Sequence, residues 1–415
     1  MLQNSTGSVH SDSPGSKPSW LPVILLELAN LTSGLGNAVV LVAVPWLVLE
    51  VTGSPAFTGI VAGTSAFAAL IMSPLAGWWV DHVGRRTVSV ISDILSAVSV
   101  AAIPVISLLG EITPPLILVL AALGAAFDPA GYTARRTLLV EAALASRMGQ
   151  ERLNGIHEGI FAIGFTLGPL IGAVAIGAIG AAQSFWIPFL LFAVAAVAIL
   201  LMRTTPASLP TPSSGTVGWR GVTRGFVVLW KDGPLRLTFL GALVLAAIYL
   251  PSESVILPTY FEARNEPGSL GLVIAALAGG STVGSFAYGW ISARMNTPTM
   301  LRLMMVGTAL SIIPMALLPP LPVLLTAGFF LGLFWGPLNP LMTTLVQKRV
   351  SPEEQGRVFG VQLSVWYAAP PLGMVIVGYS VETLGISTTY LALATLLSAT
   401  ALAILFSRSV RQLDA

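Results

Sequence analysis

Five carboxylates stand where carboxylates are costly. Glu27, Asp93, Asp128, Glu158 and Glu253 each interrupt a long apolar stretch of this 415-residue chain. An ionisable group held inside hydrocarbon costs at least about 2.5 kcal/mol, so such a group is first of all a candidate for function. The chemistry open to an isolated acid is simple: it takes up and releases a proton, or it meets a cation. Loss of hydration favours the protonated carboxyl form in general. Glu27 lies on one helical face with Asn30, Gly34 and Asn37, and Asp128 precedes Pro129 with Arg135 seven residues further on. Glu253 follows Tyr249 by one turn and stands nearer the end of its run. Glu27, Asp128 and Glu253 are therefore the candidates for proton exchange. Asp93, seven residues past Arg86, is expected to join the basic cluster there, and His157 and Glu158 to form a gate contact. Aromatic rings inside apolar runs supply walls for a lipophilic or cationic molecule. The expected cavity set is Asn30, Asn37, Phe161, Phe165, Tyr249, Trp335, Asn339, Gln362 and Trp366.

What is missing narrows the chemistry further. With no cysteine there is no disulfide, thiolate metal site or cysteine nucleophile. The three histidines, His10, His82 and His157, are dispersed, so no metal site is expected. No convergent set of His, Asp and Ser suggests catalysis, and an enzyme is not expected.

These side chains need a scaffold, and composition dictates its class. Charged residues make up 9% of the chain and hydrophobic residues 55%, with a mean hydropathy of +0.85. A soluble domain carries about 25% charged residues, so a water-soluble or disordered chain is excluded. Apolar runs fall at 20–49, 56–80, 87–109, 116–140, 153–179, 185–202, 237–260, 270–291, 299–318, 323–346, 358–381 and 387–406. Most are long enough to cross a hydrocarbon layer of about 30 Å as a helix. Twelve crossings return both termini to one side. Of the 20 Lys and Arg residues, all but Arg264 fall on that side. The positive-inside rule makes it cytoplasmic.

Residues 1–19 are expected to be a disordered cytoplasmic tail, 20–203 a first six-helix bundle, 236–407 a second and 408–415 a cytoplasmic tail. The connection 204–235 opens with Pro, Ser and Thr and then carries Trp219, Arg220, Arg224, Phe226 and Lys231, which suits an amphipathic helix in the membrane interface. The bundles share weak internal similarity. Leu123-Gly124 through Pro129 corresponds to Leu331-Gly332 through Pro337, Gly77-Trp78 to Gly289-Trp290, and Gly168-Pro169-Leu170 to Pro370-Pro371-Leu372. Three matches in order argue for duplication, and parallel repeats place a binding site between the halves near the midplane.

Two motifs carry a family resemblance. Gly77-Trp-Trp-Val-Asp81-His82-Val-Gly84-Arg85-Arg86 resembles the signature loop of the major facilitator superfamily, with His82 in place of the usual arginine. The resemblance implies a cytoplasmic latch of Gly77, Asp81, His82, Gly84, Arg85, Arg86 and Asp93 that holds the halves together when the transporter opens outward. Asp81 is expected to cap the next span and to pair with Arg85 or Arg86. Gly164-Phe-Thr-Leu-Gly168-Pro169-Leu-Ile-Gly172-Ala173 resembles the span-five motif of that family's antiporters. Its glycines share one face, and Gly280 and Gly284 offer a matching face for it. The family's span-four arginine motif is absent, since residues 120–124 hold no basic group. The pattern around Pro129, Glu141 and Asn154 is similar to the macrolide-exporter, enterobactin-exporter and Tap-type multidrug branch.

What the resemblance implies is an all-α integral membrane fold of twelve helices in two pseudo-twofold-related halves. It also implies alternating-access export of lipophilic or amphiphilic small molecules, such as antibiotics and dyes, from a bacterial inner membrane. The second reading is a siderophore or natural-product exporter of the same fold, and behind it a proton-coupled nutrient importer. The energy source is expected to be the proton gradient, with no cofactor. The expected partners are lipid, protons and the transported molecule, with no nucleic acid, and the expected state is a monomer.

Overall fold

The computed structural model describes residues 18–203 and 219–413. Residues 1–17 of the expected disordered tail and the Pro/Ser/Thr-rich first part of the linker lie outside them. Helices run through α1 (Leu21–Thr52), α2 (Pro55–Val83), α3 (Arg85–Leu109), α4 (Pro114–Ser146), α5 (Gln150–Ile179) and α6 (Ala181–Leu201). The linker helix α7 (Trp219–Lys231) follows, then α8 (Gly233–Glu262), α9 (Pro267–Ser292), α10 (Thr297–Ala316), α11 (Leu321–Arg349), α12 (Pro352–Leu384) and α13 (Ile386–Phe406). Among the described residues, 11 helices are long and apolar enough to cross a membrane. The remaining run, 358–381, lies in α12, a helix of 33 residues and hence about 50 Å long. The chain is a multi-pass membrane protein.

Local chemistry sets the helix ends. Pro55, Pro114, Pro267 and Pro352 open α2, α4, α9 and α12, where the missing N–H has no partner to lose. The side chains of Ser54, Asp232 and Asn296 accept hydrogen bonds from the backbone N–H groups of Phe57, Leu235 and Thr299, satisfying first-turn donors. Gly180 and Gly385 make the tight turns into α6 and α13 with φ of 83° and 84°, a conformation that glycine adopts without strain. They occupy equivalent places in the two halves.

Helix pairing repeats as well. Within the first half α1 packs on α5 and α6, α2 on α4, and α3 on α4 and α6. Within the second, α8 packs on α12 and α13, α9 on α11, and α10 on α11 and α13. The halves meet along two seams, α2 with α12 and α5 with α9. The connections α1–α2, α5–α6, α8–α9 and α12–α13 define one end of the bundle, the far face. The opposite, near face holds α2–α3, α4–α5 and the linker.

Both seams close toward the far face on glycine. A side chain at Gly59 would run into the Met374 carbonyl, and one at Gly63 would stand 2.8 Å from the Pro371 oxygen. Gly378 lies on Pro55 and Gly59. In the other seam Gly271 stands 2.7 Å, by the same measure, from the Pro169 oxygen. Ser54 and the Ala56 N–H both donate to Glu382, tying the start of α2 to the end of α12.

The glycine motif of α5 has a different partner from the expected one. Gly164, Gly168 and Gly172 pack on α1, at Leu31, Leu35, Ala38 and Val39, inside the first half. Gly280 and Gly284 pack on Phe329 and Leu333 of α11, inside the second. The α5–α9 seam instead uses the carbonyl that Pro169 presents to Gly271. Small-residue faces serve whichever neighbour the bundle supplies, and spacing alone does not name it.

Candidate functional site

α1 carries the polar stripe inward, and the structure shows what it meets. Glu27 receives His157 Nδ1 at 3.1 Å, and Asn30 Nδ2 donates to the His157 carbonyl at 2.8 Å and to Glu27 at 3.4 Å. All three residues are buried. One turn on, Ser33 donates to Asp93 at 3.0 Å, and Arg135 Nη1 reaches both Asp93 oxygens at 3.0 and 3.1 Å. Arg135 Nη2 donates to Ser33 at 2.9 Å. Next along the stripe, the Asn37 amide donates to Asp128. Hydrogen-bonded charge pairs of this kind hold a membrane-embedded bundle in one arrangement, because neither partner is tolerable alone.

Several expectations change here. Asp93 does not join Arg86; its partner is Arg135, and it belongs to the interior of the first half. Glu27 and Asn30 face His157 and line neither of the cavities described below. His157 pairs inward with Glu27, while Glu158 pairs with Arg136 at 2.6 Å near the near face. Ser33 was not among the expected residues, although it sits three positions after Asn30 and four before Asn37 on the same stripe.

The latch residues are assembled within one half only. Arg85 pairs with Glu141 at 3.1 Å, and Arg86 donates to the Ile199 and Leu200 carbonyls of α6. His82 Nδ1 lies 2.8 Å from the Trp78 carbonyl, with its ring stacked on Trp78 at 4.5 Å. Asp81 is exposed and has no hydrogen-bond or ion-pair partner among the described residues. It does not cap α3, whose N-cap is Gly84 with no side-chain bond. Gly77 lies in the last two turns of α2. With the far-face seams shut, this is the arrangement of a molecule closed at the far face and unlatched at the near one.

Two cavities adjoin at Phe165 between the halves. The first, of 320 Å³, is bounded by Asn37 and Asp128 together with Val44, Val61, Ser96, Phe185, Phe192, Ser254 and Met374. The second, of 470 Å³, is bounded by Phe161, Thr166, Tyr249, Glu253, Ser281 and Trp335 and runs toward Glu158 and Phe286. Volumes of a few hundred Å³ suit drug-sized molecules. Tyr249 and Trp335 stack face to face at 4.6 Å and 4°, and Phe161 stacks on Phe165 at 5.7 Å. Glu253 is brought to the cavity by a π-helical turn, Ser252–Ile256, inside α8. The bracketing prolines Pro251 and Pro258 were the available sequence signal for that irregularity. Asn339 is exposed, and neither it nor Gln362 lines either cavity. The Trp366 side chain lies outside the described residues.

A site between two six-helix halves, with one acid on each side and shut at one end only, is the arrangement of an alternating-access carrier. The sequence agrees: the Major Facilitator Superfamily sequence model matches residues 26–374 and 254–414. The chain belongs to the major facilitator superfamily. It is 38% identical over 399 residues to the multidrug efflux pump Tap of Mycolicibacterium fortuitum, across 95% of this chain and 97% of that one. It is 20% identical over 394 residues to macrolide efflux protein A of Streptococcus pyogenes, across 91% and 94% of the two chains. The crystal structure of the nucleoside transporter NupG superposes with a TM-score of 0.76 at 15% identity, covering 92% of this chain and 98% of that one. That last similarity establishes the fold alone. As a major facilitator protein, the chain works as a transporter, not as an enzyme.

Proposed function

We propose that this transporter exports lipophilic and amphiphilic small molecules, antibiotics and dyes among them, across a bacterial inner membrane in exchange for protons. The similarity to pumps named for multidrug and macrolide efflux supports the direction and the substrate type. The observation that carries the reading is the pair of adjoining cavities between the halves, one largely aliphatic and one walled by aromatic rings, closed at the far face. The charge bias of 19 basic residues against one supports a cytoplasmic near face. The described state is then inward-facing, ready to take substrate from the cytoplasm or the inner leaflet.

Proton coupling is assigned to Asp128. In the first half Asp93 has Arg135 and Glu27 has His157, whereas Asp128, which borders the cavity, has the neutral Asn37 as its hydrogen-bond partner among the described residues, the nearby Arg135 being bound to Asp93. Its charge has to be compensated by something that comes and goes. A proton taken up from outside and released inside does this, with each charge driven by about 2.3 kcal/mol per 100 mV. Asn37 steadies the carboxylate, and loss of that charge on protonation loosens α1 from α4.

The test is dye and antibiotic accumulation in cells lacking their own pumps, with and without a protonophore. Expression is expected to lower accumulation, the protonophore to restore it, and Asp128→Asn to behave like the protonophore at normal expression. Unchanged accumulation across a broad panel would refute the efflux reading, and full pH-driven export by Asp128→Asn would refute the coupling assignment alone.

A further inference from the structure

The two acids bordering the paired cavities have different surroundings, and the difference assigns them different work. Glu253 is 7% exposed, buried in α8 at the π-helical turn with its neighbours Ser252 and Ser254. Those hydroxyls are not its partners: Ser252 donates to the Ile248 carbonyl at 2.7 Å and Ser254 to the Leu250 carbonyl at 2.8 Å. No hydrogen-bond donor or cationic side chain meets Glu253 among the described residues. The other carboxylate on that cavity, Glu158, is already paired with Arg136. Asp128, by contrast, holds an amide donor and borders a cavity walled largely by aliphatic side chains and serines.

An ionised carboxylate away from water needs a counter-charge. Around Glu253 the protein supplies ring faces instead. Tyr249, one turn back, stacks with Trp335, and Phe161 and Phe165 form a second stacked pair in the same cavity. Ring faces attract a cation through their quadrupole, most strongly when water is excluded. A carboxylate flanked by aromatic faces is complementary to a cationic centre carried on an apolar, ring-bearing body.

We propose that Glu253 is the substrate-charge reader of this transporter. It is a binding subsite for lipophilic monocations, protonated amines or quaternary onium groups, with Tyr249 and Trp335 as its aromatic wall. The proposal rests on the transport reading above and deepens it by assigning the charge of the preferred substrate and separating substrate recognition in α8 from proton exchange in α4.

Binding by the purified full-length protein in lipid nanodiscs tests this without any transport step. Tetraphenylphosphonium and tetraphenylborate have nearly the same shape and opposite charge, so the ratio of their affinities reports charge recognition and not folding. The wild-type protein is expected to prefer the phosphonium, and Glu253→Gln to lower that preference by about tenfold. Glu253→Asp is expected to retain part of the preference, and Glu111→Gln, at an exposed acid between α3 and α4 that lines neither cavity, to leave it within about twofold. An unchanged ratio in Glu253→Gln, or a wild-type protein with no preference for the cation, overturns the proposal. A wild-type protein that shows the preference but leaves dye accumulation in cells unchanged would refute the efflux reading and keep this one.

Discussion

Arg135 is heavily committed: it holds both oxygens of Asp93 and the Ser33 hydroxyl while 3% exposed. Removing one partner of a buried pair strands the other, at about 3–5 kcal/mol. Arg135→Met is therefore expected to cut the yield and thermal stability of the purified protein sharply. Replacing Asp93 with leucine in the same chain should restore much of both. A double variant no better than the single one would mean the pair is not a unit. Asp81 is the opposite case, exposed and partnerless among the described residues. Asp81→Asn should leave melting temperature within about 2 °C yet slow export severalfold. Equal losses of stability and export would place its role in this state and not in the outward-facing one. The polar stripe of α1 was legible in the sequence because helical spacing puts Glu27, Asn30 and Asn37 on one face. Their partners were not, because His157 comes from α5 and Asp128 from α4 and periodicity says nothing about which helices adjoin.

At the scale of elements, glycines decide how close helices come. A side chain at Gly59 or Gly63 has no room against the α12 backbone, and overpacking costs about 1–3 kcal/mol. The Gly59→Leu change should therefore weaken the far-face seam specifically. Single engineered cysteines on that face should become accessible to a membrane-impermeant thiol reagent while total expression holds, and labelling unchanged from the parent would sink this. Gly168→Leu acts elsewhere, between α5 and Ala38 and Leu35 of α1, and should lower stability within the first half with no gain in far-face labelling. Spacing of four between glycines is readable in both α2 and α5. The α5 set stands out through its resemblance to an antiporter motif, whereas Gly59 and Gly63, with the same spacing, carry no such flag. The linker helix α7 shows what composition does establish: the basic and aromatic stretch forms a helix. Arg224 pairs with Glu354 at 2.8 Å, and Asp232, just after α7, pairs with Arg349 at 2.9 Å.

At the scale of the whole molecule, the described state predicts how transport is blocked. Ser54 and Glu382 touch across the far-face seam, and the chain has no cysteine of its own. With Ser54→Cys and Glu382→Cys together, oxidation is expected to form a disulfide that locks the state closed at the far face. Dye accumulation should rise to the level of cells without the transporter and fall again when the bond is reduced. Export that persists through the crosslink would mean the far-face ends of α2 and α12 need not separate. Substrate release to the far side requires that separation under alternating access, since both seams are shut there and the near-face latch is unmade.

By itself the sequence determined the membrane class, the number of apolar runs, the side on which the basic residues gather, the duplicated halves and the family. These follow from composition, run length and local spacing, quantities that a linear chain carries openly. Only the tertiary structure decided which acids have an ionisable partner and which do not. It gave Asp93 to Arg135 and Glu27 to His157, left Asp128 with one amide as its hydrogen-bond partner among the described residues and Arg135 turned to Asp93, and turned Glu253 into a cavity with no cation beside it among them. The reason is physical: an acid inside a membrane is defined by what compensates its charge, and that partner comes from a distant part of the chain, through helix packing that local pattern does not encode.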